Sequence, residues 1–419
     1  MKHLAKGLFL GFGIGICILC ACIFFLTAEH PDSQINGSGT QNAEPEEPSA
    51  AETTVPEEGT DVSSDLSAEE QPQPEQTPPG DSSAAEETVL PEEAHAEETT
   101  PEETAELPQE AVLAFAGDVM FSEQYLAAYD RNGIQALASE QMLAEMRDAD
   151  LFMLNEEFPF SLRGEPMEDK QYTFRTDPKY VSILQDLGTD LVTVANNHAL
   201  DFGQDAFCDT LDTLKQAGIT CVGGGYHIAE ASAPAVCTVN GQTFAIFAAT
   251  RVSPSYDWYA TDSQPGMFQT YDPTKLNAAI AEAEETYDHT IVFVHWGIEH
   301  VEYPEDYQRA LAKGYIDAGA DLIIGCHPHI LQGFEYYRDV PVIYSLGNYL
   351  FGNRDGNTLL LKAVFHADGA LDIRFVPCKR QNGILSVIEE PGSLYQHLTE
   401  LSFHAEVSAE GVLRSSVTE

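Results

Sequence analysis

Short, uninterrupted apolar runs alternate with helix-like segments through the chain from Ala111 onward. The runs AVLAFAG (111–117), DLFMLNEEF (150–158), DLVTVANNH (190–198), TIVFVHWG (290–297) and DLIIGCHPH (321–329) are apolar on both alternate sets of positions. Strands buried on both faces of a sheet have this character. Between them the spacing predicts helices over roughly Ile134–Ala149, over 178–187 with Pro178 near the start and Gly188 as the stop, and over 205–217 before Gly218. Two further helices are predicted at KLNAAIAEAEE (275–285) and YQRALAKGYIDAGA (307–320). Ala235–Ala249 reads as two strands turning at Asn240-Gly241, a tight-hairpin signal. Ser253–Tyr271 reads as a long polar and aromatic loop. PVIYSLGNYLF (341–351) is predicted as the last core strand. A hairpin turning at Asp368-Gly369 follows, as an edge or a second sheet. Strands alternating with helices predict an α/β fold with a largely parallel sheet, in which ligands bind beyond the carboxyl ends of the strands.

Five of those strand ends carry metal-ligand side chains: Asp118; Asn155 with Glu157; Asn197 with His198; His295; and His327 with His329. Each fragment alone has an ordinary structural explanation. Asp118 and Asn197 can cap helices, His295 can be a satisfied core histidine, and HPH can be a polar turn. Their joint occurrence on one sheet edge points to a metal site. Carboxylate and amide oxygens with imidazole nitrogens suit Zn²⁺, Mn²⁺ or Fe, and the scarcity of thiols argues against a purely structural zinc site. Six protein ligands exceed what one open-coordinated ion requires, so one or two divalent ions with a bridging carboxylate are expected, serving metal-assisted hydrolysis.

The other parts of the chain carry different information. Leu8–Leu26 is an uncharged apolar run of 19 residues, long enough to span about 30 Å of hydrocarbon as a helix. Lys2 and Lys6 precede it and no Lys or Arg follows until Arg131. This predicts an uncleaved single-pass anchor over 1–28 with the folded part extracytoplasmic. A cleaved signal peptide and a lipoprotein signal at Leu19-Cys20-Ala21-Cys22 are the alternatives. Residues 29–110 hold 24 acidic residues and no Lys or Arg, which predicts a disordered, extended linker. The body from 111 onward has 44 acids and 18 bases, a net charge of −26. A domain this acidic is a poor nucleic-acid binder, and it would repel anionic substrates unless bound cations reversed the local field. Five cysteines lie in the body without CxxC spacing, so neither a zinc knuckle nor a disulfide framework is indicated.

Taken in order, GDVM, NEE, NNHALDFG, HWGIE, GCHPH and YSLGN resemble the CapA family of capsule (poly-γ-glutamate) synthesis proteins, over about Val112–Phe351. That family is similar to calcineurin-like dinuclear metallophosphatases. The resemblance implies a sandwich of two mixed sheets flanked by helices over 111–360, with a C-terminal hairpin and tail (361–419) packing on or following it. It also implies roles. Asp118 and His329 would hold one ion, Glu157 would bridge, and Asn197, His295 and His327 would hold the second. His198 would be a general acid or charge stabiliser, and Asn155, Glu299, Ser345 and Asn348 would line the site. Arg175, in YTFRTDP, could hold an anionic substrate group. Two departures matter: Met120 stands where the phosphatases have a histidine, which weakens the first ion position, and Asn155-Glu156-Glu157 replaces the family's Asn-Leu-Glu. Glu156 could ligate only after a one-residue shift, because strand alternation points it to the other face. The implied function is a membrane-anchored protein of capsule or envelope polymer synthesis with a phosphoesterase-type site, acting on a polymer such as poly-γ-glutamate or on a phosphoester, within a capsule-synthesis membrane complex. The competing reading is a non-catalytic component that binds the polymer or scaffolds an export or anchoring complex.

Overall fold

The computed structural model describes residues 108–352 and 355–416. The expected anchor and acidic linker lie outside the described residues. In chain order the strands are β1 (Ala111–Met120), β2 (Leu151–Glu156), β3 (Leu191–Thr193), β4 (Thr220–Val222), β5 (Gly224–Gly225), β6 (Ala235–Val239), β7 (Gln242–Thr250), β8 (Gly266–Met267), β9 (His289–His295), β10 (Leu322–Cys326), β11 (Phe334–Tyr337), β12 (Val340–Ile343), β13 (Asn348–Phe351), β14 (Gly356–Phe365), β15 (Leu371–Gln381), β16 (Ile384–Val387), β17 (Ala405–Val407) and β18 (Leu413–Ser415). The α-helices are α1 (Glu123–Asn132), α2 (Glu140–Arg147), α3 (Val181–Leu187), α4 (Gln204–Ala217), α5 (Ile228–Ala231), α6 (Thr274–Glu284), α7 (Asp306–Ala318) and α8 (Gly392–Glu400).

Two mixed sheets form the centre of this mixed α/β architecture. The first runs β16-β15-β14-β1-β2-β3-β4, with β13 also paired to β1; the second runs β11-β12-β10-β9-β7-β6. Leu113, Phe115 and Met153 of the first sheet share a core with Ile246, Ile291, Phe293 and Ile324 of the second. The outer face of the first sheet packs Phe152, Leu154 and Val192 against Met142, Leu184, Phe207 and Leu211 of its helices. On the second sheet Phe247, Val292 and Ile323 pack against Leu276 and Ile280 of α6 and Tyr315 of α7. Each such side chain contributes about 1.5–3 kcal/mol of burial. That explains why the strands read as continuous apolar runs: both of their faces are covered.

Several expectations are revised. The segment 134–149 is a short 3-10 turn (Ile134–Ala136) followed by α2, and α1 precedes it. Helix α1 begins at a Ser122 cap and buries only Tyr125, so its apolar stripe is too thin to stand out in the sequence. The stretch 341–351 is two strands rather than one. Strand β12 lies parallel to β10 in the second sheet, while β13 pairs with β1 in the first. The turn at 344–347 therefore carries the chain from one sheet to the other. The hairpin at 368–369 is neither an edge nor a second sheet: β14 is antiparallel to the first half of β1, and β13 takes over the same edge at Asp118. The boundary expected at 360/361 falls inside β14. The 240–241 hairpin turn has the two positive φ values (50° and 79°) that an Asn-Gly turn supplies.

Candidate metal centre

Parallel pairing brings the strand ends together. Asp118 is in register with Asn155 of β2 on one side and Asn348 of β13 on the other, and His295 of β9 is in register with Cys326 of β10. Two glycines permit the close approach. A Cβ on Gly117 would lie 1.9 Å from the Gly347 carbonyl oxygen, and one on Gly325 would lie 2.1 Å from that of Tyr344. His327 and His329 flank Pro328 with positive φ values of 99° and 59°. Such conformations in residues other than glycine are costly and occur where surrounding structure imposes them, often at functional sites. This turn aims two imidazoles back over the sheet edge.

Asp118, Asn155, Glu157, Asn197, His198, His295 and His327 are buried. The Asn155 amide donates to Asp118 Oδ1 (2.8 Å) and Glu157 Oε2 (3.2 Å), and its own position is fixed by the Asn196 amide, which donates to Asn155 Oδ1 (3.0 Å). The second oxygen of Asp118 accepts from the His327 backbone N–H (3.2 Å) and lies 3.3 Å from His329 Nδ1, which also donates to Asn348 Oδ1 at 2.8 Å. Asp118 is thus satisfied by protein donors. Burial pushes its carboxyl up, but the hydrogen bond and charge of His329 prevail and leave it lowered, and the same pairing raises His329 against its own burial.

The other half of the cluster is not satisfied. Glu157 Oε1 and His327 Nδ1 are buried without a hydrogen-bond partner. His295 Nε2 lies 2.7 Å from Asn197 Oδ1 and 3.8 Å from Glu157 Oε1, and His329 Nε2 lies 3.9 Å from the same oxygen. Burial and then repulsion from Asp118 raise the Glu157 carboxyl well above the ordinary range. Burial holds His295 well below its ordinary value and His327 down at about 3, so both rings stay neutral with a lone pair to offer. Oxygen and imidazole donors converge here while the protein leaves a carboxylate oxygen and a ring nitrogen unpaired. That donor set fits a divalent cation. Glu157, His327 and His329 offer mutually close ligand atoms, and so do Asp118, His295 and Cys326. We favour the first group. It contains both buried unpartnered atoms, Glu157 Oε1 and His327 Nδ1, whereas the Cys326 sulfur already lies 3.2 Å from His295 Nδ1.

His198 sits beside the cluster with its Nδ1 donating to Asp201 Oδ2 (2.7 Å) and its ring stacked on Phe174 at 4.2 Å. Lys170, from the loop after β2, reaches in to donate to Asp201 and to the Asn197 carbonyl, and lies 3.1 Å from His198 Nδ1. Burial lowers both His198 and Lys170. The sequence reading passed over Asp201 and Lys170. The i,i+3 spacing of His198 and Asp201 in NNHALD was a usable signal; nothing local marks Lys170.

Other expected positions behave differently. Glu299 is exposed on the loop after β9. The Ser345 hydroxyl donates to the Ile330 carbonyl and accepts from the Gly347 N–H, so it holds the crossover turn instead of lining the site. Arg175 is exposed, donates from Nη1 to the carbonyls of Arg163 and Gly164, and lies 4.1 Å over the Phe202 ring, so that it ties loops together. Glu156 is buried, on the alternate face from Asn155, with one oxygen unpartnered and its carboxyl raised by burial. Met120 is partly buried and pairs with Phe351, and it adds no donor to the Asp118 side.

Fold and site together define a mixed α/β protein whose two sheets meet at a buried cation-type ligand set. Residues 112–353 match the family described as bacterial capsule synthesis protein PGA_cap. The chain belongs to that family. Among similar proteins, the PGA biosynthesis protein CapA of Bacillus subtilis is 32% identical over 240 residues, covering 57% of this chain and 62% of the relative. The capsule biosynthesis protein CapA of Bacillus anthracis is 28% identical over 302 residues, covering 69% of this chain and 72% of the relative. A probable polyglutamine synthesis accessory protein of Mycobacterium tuberculosis is 31% identical over 48% of this chain and 55% of its own. Among solved structures, a hypothetical protein from Thermus thermophilus covers 65% of this chain and 99% of its own with 17% identity and a TM-score of 0.40, a level too low to define the fold.

Proposed function

We propose that this protein is an extracytoplasmic, membrane-anchored member of the capsule synthesis family with a metal-dependent phosphoesterase-type site, acting in the metabolism of an envelope polymer such as poly-γ-glutamate. Its expected organisation is the anchor at 1–28, the acidic linker at 29–110 and the catalytic body beyond. Among the described residues no helix is long and apolar enough to cross a membrane, so the anchoring rests on Leu8–Leu26. A single observation carries the reading of the site. Glu157 Oε1 and His327 Nδ1 are buried and unpartnered, which is unfavourable for the protein alone and is resolved by a divalent cation. Zn²⁺, Mn²⁺ or Fe would suit these donors.

Glu157, Asn197, His295, His327 and His329 would hold the ion. Asp118 and Asn348 would fix the His329 ring, as outer partners of metal-bound histidines do. When bound, a divalent cation supplies Lewis-acid polarisation of a phosphoryl oxygen and activation of water. Asp201, by accepting from Nδ1, leaves His198 Nε2 as the nitrogen that can exchange a proton with a leaving group. Lys170 secures that pair from the side. With Asp118 already satisfied and Met120 contributing nothing, one tightly held ion is the economical reading.

The test is metal content and hydrolysis of phosphoesters by the purified protein. The proposal expects bound metal and activity in the wild type and loss of both in a His295→Ala, His327→Ala double variant. Undiminished hydrolysis by that variant refutes the site. A protein that never holds metal yet binds poly-γ-glutamate would establish the non-catalytic alternative.

A further inference from the structure

Arg251 is the first residue beyond β7, and its backbone N–H donates to the carbonyl of His295 at 2.8 Å. It therefore stands beside a strand end that carries a member of the candidate ligand set. Ala245, Phe247 and Ala249 face α6 and α7, and Arg251 continues that alternation. Its guanidinium carbon lies 3.5 Å from the Tyr271 ring centroid and 5.1 Å from that of Tyr307. Tyr256, Tyr259 and Tyr271 form a ring cluster with centroids 6.0–6.5 Å apart. Tyr256 is 82% exposed and Tyr271 42%.

What sets Arg251 apart is a guanidinium held by two tyrosine rings and by no carboxylate. Arg163, Arg309, Arg338 and Arg374 each pair with a carboxylate. The Arg251 guanidinium makes no ion pair and no hydrogen bond among the described residues, in a body where acids outnumber bases 44 to 18. The rings hold the guanidinium by cation–π contact, and its N–H donors have no partner among the described residues. A planar fork of this kind matches a carboxylate or phosphate. The exposed tyrosine faces beside it suit the apolar spacers between such groups.

We propose that Arg251, with Tyr256 and Tyr271, forms a binding subsite for the oxyanion groups of an extended chain, carboxylate or phosphate, that also passes the metal centre. The assignment rests on the polymer-handling reading above for its link to the metal centre, but its binding can be measured without catalysis.

The experiment uses the full-length, metal-loaded protein in detergent. It compares fluorescent γ-linked oligoglutamate, oligophosphate and a neutral oligosaccharide by anisotropy. The wild type is expected to bind one or both anionic probes and not the sugar. Arg251→Gln is expected to weaken that binding by roughly 10-fold or more, with Arg251→Lys in between, at unchanged metal content and melting temperature. Preference for one anion identifies the group recognised. Tyr256→Ala, a surface change with a smaller expected loss of a few-fold, serves as the second variant if Arg251→Gln does not fold. Wild-type affinity in both Arg251→Gln and Tyr256→Ala, equal binding of the neutral sugar, or no binding of either anion overturns the proposal. The His295→Ala, His327→Ala variant separates the two readings. Arg251-dependent binding that persists in that variant shows that the subsite stands without the metal, and such binding by a wild type that neither holds metal nor hydrolyses phosphoesters keeps the subsite and removes the enzyme. Hydrolysis without Arg251-dependent binding does the reverse.

Discussion

Glu335 and Glu157 are both buried carboxylates, and their surroundings are opposites. Glu335, on β11, accepts two hydrogen bonds from Arg309 (2.8 and 3.0 Å) and one from the Tyr344 hydroxyl (2.7 Å), with Lys313 at 3.3 Å. Burial raises it, yet these donors leave it lowered overall. Glu157, beyond β2, has one donor on Oε2 and none on Oε1. The protein completes the first site from its own chain and leaves the second incomplete. A structural ion pair is satisfied by the fold that contains it, whereas a ligand site must keep a donor in reserve.

The comparison can be broken in order of expected effect. Removing metal by chelation, or by the His295→Ala, His327→Ala change, should lower phosphoesterase activity by more than about 100-fold, beyond what loss of an outer partner costs. Adding back Zn²⁺ or Mn²⁺ at about 100 times its Kd should stabilise the chelated wild type by about 2.7 kcal/mol in calorimetry. A chelated protein that melts as the loaded one does would place Glu157 in the same self-sufficient category as Glu335.

Arg309→Met should cost about 2–3 kcal/mol in urea unfolding, less than the full penalty for a buried pair because the Arg309 side chain is 28% exposed. Metal content should not change. Loss of metal in that variant would show that the two regions are coupled.

Gly117→Ala should destabilise by about 1–3 kcal/mol, since its Cβ meets the Gly347 carbonyl, and should reduce metal affinity by displacing Asp118. Unchanged metal affinity would mean that the crossover turn does not set the site.

The smallest effect is one of pH. Glu335 is lowered in the folded state, so its contribution is present above the unfolded glutamate pKa and fades as pH falls through the folded value. The urea-stability gap between wild type and Arg309→Met should therefore narrow between about pH 7 and about pH 3. A gap that widens in acid has the wrong sign for this pair.

Local chemistry made much of this protein legible. The runs ending at Asp118, Asn155, Asn197, His295 and His327 announced strands buried on both faces with polar ends, and Asn240-Gly241 and Asp368-Gly369 announced their turns, because periodicity and positive φ are short-range properties. Helix α1 escaped since it buries a single residue. The sequence could not show that Ser345 and Arg175 bond backbone carbonyls, because those partners are set by the tertiary fold.

The amino-acid sequence by itself determined the ligand inventory, its order and the strands that carry it, because side-chain identity and alternation do not depend on distant contacts. The tertiary structure decided what those residues do to one another. It sent the chain from β12 to β13 across the two sheets, set Asp118 against Asn348 and His329, and brought Lys170 to the His198–Asp201 pair. It also left Glu157 and His327 unpaired and Arg251 without an acid. Whether a buried charge is satisfied depends on groups far away in the chain, and folding alone chooses them.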